Sequence, residues 1–335
     1  MNTYRSLPAA LGLFWVSVML AVSLLGCDTE PRQYRLEVLT GNPDHAEIVN
    51  GFKEKMTELG YREGIEIVYH TEYYVTPHEA RAGVEKILRE SSNIDLIFTL
   101  FTEVSVIAKE ATRDTNIPLV FAYAGIEGSD LVGSVREPGG RVTGVRYPGS
   151  EQIGKRLEIL HEIAPLRTRV FAGYSRNYPN SLPALTIMRS LAPKLGVTLV
   201  EVPVDDVAGL ERELQRRDQA SEPGVDAMLL MPDSINHSFA GWKMIRDFAD
   251  RHNLPVAGSF RYTVEQGAIF GNADNLEAVG RQAAPLVHKI LQGTPAGTIP
   301  VVTPEQVLVI NYKRVQELGL EVPEGVLRQA KEILR

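Results

Sequence analysis

Cysteine is almost missing from this chain: Cys27 is the only one in 335 residues. A single thiol excludes any intramolecular disulfide, whatever the redox state of the compartment. Clustered histidine is missing too, because the seven histidines at 45, 70, 78, 161, 237, 252 and 288 follow no ligand spacing. His70 and His78 flank a loop pattern and read as surface residues. There is no Gly-x-Ser-x-Gly elbow, no Gly-Lys-Ser/Thr phosphate loop and no His-Glu-x-x-His helix, so no enzyme and no cofactor are expected. No basic stripe is present either. With a formal net charge of −7 and scattered Lys and Arg, the chain offers nothing to neutralise a phosphate backbone, which argues against nucleic acid as a partner. After residue 26 no apolar run approaches membrane length.

The apolar run that does exist is at the start. Arg5 precedes an uncharged stretch, Ser6–Gly26, rich in Leu, Val and Ala, which ends Leu24-Leu25-Gly26-Cys27. A short positive region, an apolar core and a small residue before the cut are the parts of a secretory signal. The Leu-x-Gly-Cys ending points to a bacterial lipoprotein signal over residues 1–26, with Cys27 as the lipidated first residue of the mature chain. An uncleaved anchor and plain secretion are the competing readings. The expected location is the outer face of the cytoplasmic membrane, held by a lipid anchor. If the host sorts lipoproteins as enteric bacteria do, Asp28 favours retention there.

Beyond residue 33 one rhythm repeats. Short apolar runs (Leu36–Leu39, Ile65–Tyr69, Leu96–Leu100, Leu119–Tyr123, Val170–Tyr174, Leu199–Val202, Ala227–Met231, Val256–Ser259) alternate with amphipathic segments. Those segments are His45–Leu59, Thr76–Arg89, Val104–Thr112, Gly154–Ile163, Leu182–Leu195, Leu210–Ala220 and Phe239–Arg251. Continuous apolar strands separated by helices mean parallel sheets covered on both faces, an α/β fold. Helix stops stand at Gly60, Gly196 and Pro255. The rhythm comes in two blocks of four strands, divided at the turn-rich Glu137–Gly144. The chain therefore reads as two similar doubly wound lobes: residues 34–147 plus 274–303, and 149–271 plus 304–334. A helix at Asn275–Leu291, a Pro- and Gly-rich stretch and a strand at Val307–Ile310 close the pattern, followed by terminal helical turns. Several crossings between lobes make the hinge of a clam shell that closes on a ligand.

Four segments carry a resemblance. Phe52–Gly64 (FKEKMTELGYREG), Leu131–Gly144 (LVGSVREPGGRVTG), Tyr178-Pro-Asn-Ser181 and Val309–Leu320 (VINYKRVQELGL) are similar to ABC-transporter substrate-binding proteins, the family that includes tryptophan-binding lipoproteins. The likeness runs in order from about Arg35 to Leu334. It implies a type I periplasmic binding protein-like fold, a small-molecule ligand held between the lobes, and delivery to a permease with its ATPase by a monomeric, lipid-anchored protein. It also implies that an aromatic or other hydrophobic amino acid is the first cargo to test. Relatives place a Thr-Asp-Pro-type turn after the fourth strand; here the turn reads Ala124-Gly-Ile-Glu127. A sensory role, with the same shell reporting its ligand to a membrane kinase or receptor, is the alternative. Genes for a permease and an ATPase beside this one would separate the two.

Open parallel sheets bind ligands at the carboxyl ends of their strands. There the chain places Asn42, Phe101, Thr102, Tyr123, Ser175, Tyr178, Asn180, Ser181, Asp233 and Asp274. Thr102, Ser175, Asn180 and Ser181 suit a carboxylate, Asp233 and then Asp274 an ammonium, and Phe101, Tyr123, Tyr147, Tyr178 and Phe260 an apolar or cationic group. Each Ser, Thr or Asp here is also an ordinary helix cap, and both readings stand for Asp274.

Overall fold

The sheet of the first lobe is laid down in the order β2-β1-β3-β4-β5, all parallel. Its strands are β1 Tyr34–Thr40, β2 Ile67–Tyr73, β3 Leu96–Leu100, β4 Leu119–Ala124 and β5 Val142–Arg146. The second sheet runs β12-β11-β10-β9-β8-β6-β7, built from β6 Arg169–Ser175, β7 Thr198–Val204, β8 Ala227–Leu229, β9 Val256–Gly258, β10 Phe270–Ala273, β11 Val307–Asn311 and β12 Glu332–Leu334. Read from β7 to β10 it repeats the order of the first sheet, and both have the flavodoxin-like switch point between their first and third strands. These strands belong to a computed structural model that describes residues 32–41, 46–74, 76–91, 93–273 and 275–335. Cys27, Asn42 and Asp274 lie outside the described residues.

Helices cover both faces of each sheet. They are α1 Ala46–Glu58, α2 Pro77–Glu90, α3 Thr102–Ala111, α4 Gly149–Ile163, α5 Ser181–Leu191, α6 Val207–Asp218, α7 Ser234–His237, α8 Phe239–Arg251, α9 Arg261–Glu265, α10 Leu276–Leu291, α11 Tyr312–Glu317 and α12 Glu324–Gln329. Local chemistry sets their ends. Thr76 and Glu79 cap α2 reciprocally, with Pro77 fixing the first turn. Gly196 takes φ +67° to stop the turn that follows α5. None of the described helices is long and apolar enough to cross a membrane.

Sheet one buries Leu36, Val38, Phe98 and Val120 against Ile48, Phe52, Val279, Ala283 and Val287 on one face. The other face sets Leu39, Ile97 and Phe121 against Val84, Val104 and Ala108. Sheet two is packed the same way, Val170, Ala172 and Leu229 facing Leu157, Leu185 and Met188, and Phe171 and Met228 facing Leu210, Trp242 and Phe248.

Four strands differ from the sequence reading. Glu137–Gly144, read as a break, leads into β5. Its five residues are all buried although two are polar, because Ile299 O accepts from Thr143 Oγ1 at 2.7 Å and two carboxylates hold Arg146. Phe270–Ala273 is a strand that pairs antiparallel with β11, so the second sheet is not purely parallel. The terminal turns finish in β12, a parallel partner for β11. The second strand starts at Ile67, two residues late, since Arg62–Glu66 forms a turn closed by Glu66 N→Arg62 O at 3.1 Å.

Between β10 and β11 the chain leaves the second sheet for α10, which packs along α1 on the first. Glycine allows that approach. A Cβ on Gly280 would lie 1.9 Å from Ile48 O, and one on Gly51 would lie 2.2 Å from Glu277 O. The crossings are bonded together: Val302 N donates to Gly144 O at 2.9 Å and Arg146 N to Val302 O at 2.8 Å. Arg146 spans the same seam, reaching Glu127 from the first lobe and Glu151 from α4 at 2.8 and 2.7 Å.

Candidate functional site

A cavity of about 420 Å³ opens at the carboxyl ends of both sheets. Gly41, Phe101 and Glu103 come from the β1 and β3 ends, and Pro232, Asp233 and Ser234 from the β8 end, so the cavity straddles both switch points. Such a volume suits a molecule of amino-acid or small-metabolite size.

Aromatic rings form its back wall. Tyr123 lies 4.8 Å from Tyr147 and 5.7 Å from Phe260, and Tyr147 and Phe260 stack at 6.0 Å with 27° between planes. Phe101 meets Tyr123 edge to face. Tyr74, Tyr178 and Phe239 add further rings, Val104 and Ile107 add aliphatic surface, and Phe239, 75% exposed, stands at the rim.

Two carboxyl groups face this apolar space. Asp233 is 1% exposed. Its Oδ1 accepts from Asn236 N at 2.9 Å and Asn236 Nδ2 at 2.8 Å, and its Oδ2 accepts from Ser175 N at 2.9 Å. It therefore caps α7 and also ties α7 to the end of β6. Burial pushes its pKa up to about 6, against the pull of those hydrogen bonds. Glu103, the second residue of α3, is held above the usual carboxylate range, first by burial and then by the charge of Asp233. A hydrogen bond from Ser234 opposes both. Burial followed by the Glu103 charge holds the Tyr178 phenol well above its ordinary value, against a smaller pull from the Thr102 hydroxyl. No Lys or Arg appears in the lining among the described residues.

The structure thus brings together Phe101, Tyr123, Tyr147, Tyr178, Asp233 and Phe260 from the residues singled out by sequence. Thr102 stands just behind them, its Oγ1 accepting from Gly125 N at 2.9 Å. Ser175, Asn180 and Ser181 are buried but do not line the cavity. Ser175 serves Asp233 through its backbone. Asn180 Nδ2 donates to Glu127 O at 3.1 Å, joining the lobes beside the cleft. Glu127, in the altered turn, pairs with Arg146 instead of facing the cavity. Sequence reasoning missed Glu103, Tyr74, His237 and Phe239. An acid in a first helical turn reads as dipole complement, and only its place directly after a strand-end Thr marks Glu103 out.

Comparison with known proteins follows the same lines. The sequence model of the family described as ABC transporter substrate binding protein matches residues 36–334. A tyrosine-binding protein of Clostridioides difficile (strain R20291) is 23% identical over 286 residues, covering 84% of this chain and 79% of the relative. Among solved structures, an ABC domain from Streptococcus pneumonia in complex with L-Trp superposes with a TM-score of 0.78 at 22% identity, covering 90% of this chain and 100% of the other. A conserved domain protein from Vibrio cholerae gives 0.78 at 23% identity, with 90% and 99% covered. A ligand-free, open substrate-binding protein from Clostridium difficile gives 0.65 at 20%, again with 90% and 99% covered.

Proposed function

The chain belongs to the ABC transporter substrate-binding protein family, and on that premise we propose that it captures an aromatic amino acid between its lobes and delivers it to a transporter permease. The lobes in this reading are residues 34–147 plus 274–303 and 149–271 plus 304–334, and they close on the ligand as a monomeric clam shell. Cys27 carries the lipid that holds the protein at the outer face of the membrane.

One observation carries the cargo: an aromatic cleft holds two desolvated carboxyl groups, Glu103 and Asp233, and no cation among its described lining residues. An ammonium group is the counter-charge such a site lacks, and a ring is what its walls accommodate. Support comes also from the tyrosine-binding relative and from the L-Trp complex of the same fold. The Gly-Ile-Glu turn and the cavity lining leave the choice among Tyr, Trp and Phe to experiment.

Thermal-shift titration of the chain from Asp28 onward tests the reading. Ligand at 100 times its Kd stabilises the folded state by about 2.7 kcal/mol, several degrees in melting temperature. We expect that response to L-tyrosine or L-tryptophan and none to sugars. A panel of aromatic amino acids without effect would overturn the cargo.

A further inference from the structure

Arg156 is a buried charged side chain behind the cleft wall that takes no part in the site so far. It sits on α4 with no measurable exposure. Its Nη1 donates to Ser259 Oγ at 2.7 Å, and its Nη2 donates to Tyr147 OH at 3.2 Å and Gln152 Oε1 at 3.1 Å. Every partner is neutral. Among the described residues no carboxylate forms an ion pair with it, and its Nε has no acceptor. A buried cation is normally paired, because desolvation without a counter-charge is costly. Here the positive charge is held one hydroxyl behind the cavity wall. Tyr147 lines the cavity, and accepting from Arg156 leaves its own O–H proton to donate.

The opposite charge lies on the other groups of the cleft. Glu103 and Asp233 approach from the α3 start and the β8 end, so the site has an acidic side and, through Tyr147, an electropositive one. Thr102, Ser175, Asn180 and Ser181, the hydroxyl and amide groups the sequence offered for a carboxylate, are absent from the lining. That leaves the anionic end of a zwitterion to be received elsewhere.

We propose that Arg156 is a positioning residue that charges the Tyr147 hydroxyl to hold the ligand's carboxylate, making the site selective for zwitterions over amines. The inference rests on the amino-acid reading above. It assigns the carboxylate to the hinge side and the ammonium to Glu103 and Asp233, with the ligand's ring against the aromatic wall.

Paired ligands separate this role from a merely structural one. Calorimetry on the wild-type chain should show L-tyrosine binding more tightly than tyramine, which has the same ring and ammonium without the carboxylate. Tyr147→Phe should weaken L-tyrosine by roughly tenfold or more, the range for a hydrogen bond to a charged group. Tyramine should change far less, so the preference collapses. Arg156→Met should collapse it similarly and Arg156→Lys should restore part of it; if Arg156→Met does not fold, Tyr147→Phe still decides. If wild-type protein binds neither L-tyrosine nor L-tryptophan, the amino-acid reading and this assignment fall together at the first measurement. If L-tyrosine binds and Tyr147→Phe leaves its ratio to tyramine unmoved, the assignment alone falls, and the carboxylate sits elsewhere, as at the start of α3.

Discussion

Phe101 and Tyr123 meet edge to face at the ends of neighbouring strands, ring centroids 6.3 Å apart at 84°, and both hold positive φ, 66° and 61°. Phe101 combines that φ with ψ 164°, a region populated essentially by glycine alone. The surroundings enforce it: Phe101 N donates to Ala122 O at 3.1 Å, and Ser105 donates to Phe101 O through both backbone and hydroxyl. Tyr123 sits in a register shift between Ala122 and Ala124 where β4 pairs with β5. A regular strand would turn the two rings differently; the strained one aims both into the cavity. Strain of roughly 1–3 kcal/mol per residue is thus held in the wall of the cavity.

Position 101 should therefore invert the usual ranking of small residues. Gly is ordinarily less stabilising than Ala, but here Phe101→Gly relieves the backbone where Phe101→Ala cannot. Phe101→Gly is expected to be more stable than Phe101→Ala by about 1 kcal/mol in chemical denaturation. Both should lose ligand affinity. Ala as the more stable variant would mean that the backbone at 101 is not strained.

Much of this architecture was legible because parallel strands announce themselves. Leu96–Leu100 and Leu119–Ala124 are continuous apolar runs, and a run buried on both faces needs no other explanation. β5, β10 and β12 were hidden for the opposite reason. They are short and carry polar residues, and partners distant in sequence hold some of these, as Ile299 holds Thr143 and Arg261 holds Glu332, which no local pattern records. The cleft divides in the same way. Phe101, Tyr123, Tyr178 and Asp233 were found by their places at strand ends. Glu103 and Arg156 were not, because a helical Glu and Arg read as surface charges until folding buries one against Asp233 and the other against Tyr147.

The contact between α1 and α10 should fail sharply when glycine is lost. Gly280→Ala gains about 1 kcal/mol in helix propensity, yet its Cβ would meet Ile48 O at 1.9 Å. That oxygen belongs to a backbone packed on sheet one and has little room to retreat. The clash should win, with a net destabilisation of roughly 1–3 kcal/mol in urea unfolding. A stabilised variant would show that the two helices do not touch there.

Anchoring has a chemical test. Cys27 is the only thiol, so Cys27→Ala should abolish incorporation of labelled fatty acid and leave an uncleaved or soluble chain. Labelling of that variant at the normal level would remove the lipoprotein reading and leave the uncleaved anchor and plain secretion. Fractionation of the wild-type membranes then reports whether Asp28 keeps it at the inner membrane.

Proton linkage gives the most direct probe of the acidic side of the cleft. Burial raises the Asp233 pKa from 3.8 to about 6 and moves Glu103 the same way. In the free protein a raised carboxyl pKa means the folded state holds its proton more tightly than the unfolded chain. The resulting stabilisation is present below about pH 4 and is lost as pH rises to about 6, roughly 3 kcal/mol for Asp233. An ammonium ligand reverses the preference, because it favours the ionised carboxylates. L-tyrosine affinity should then rise several-fold between pH 4.5 and 7 and level off above. Calorimetry in buffers of different ionisation enthalpy should show proton release at pH 5 and little at pH 7.5. Glu103→Gln should flatten part of the profile, leaving the share that belongs to Asp233. An affinity that is level from pH 4.5 to 7 in the wild-type protein would mean that neither carboxyl group receives the ligand's ammonium.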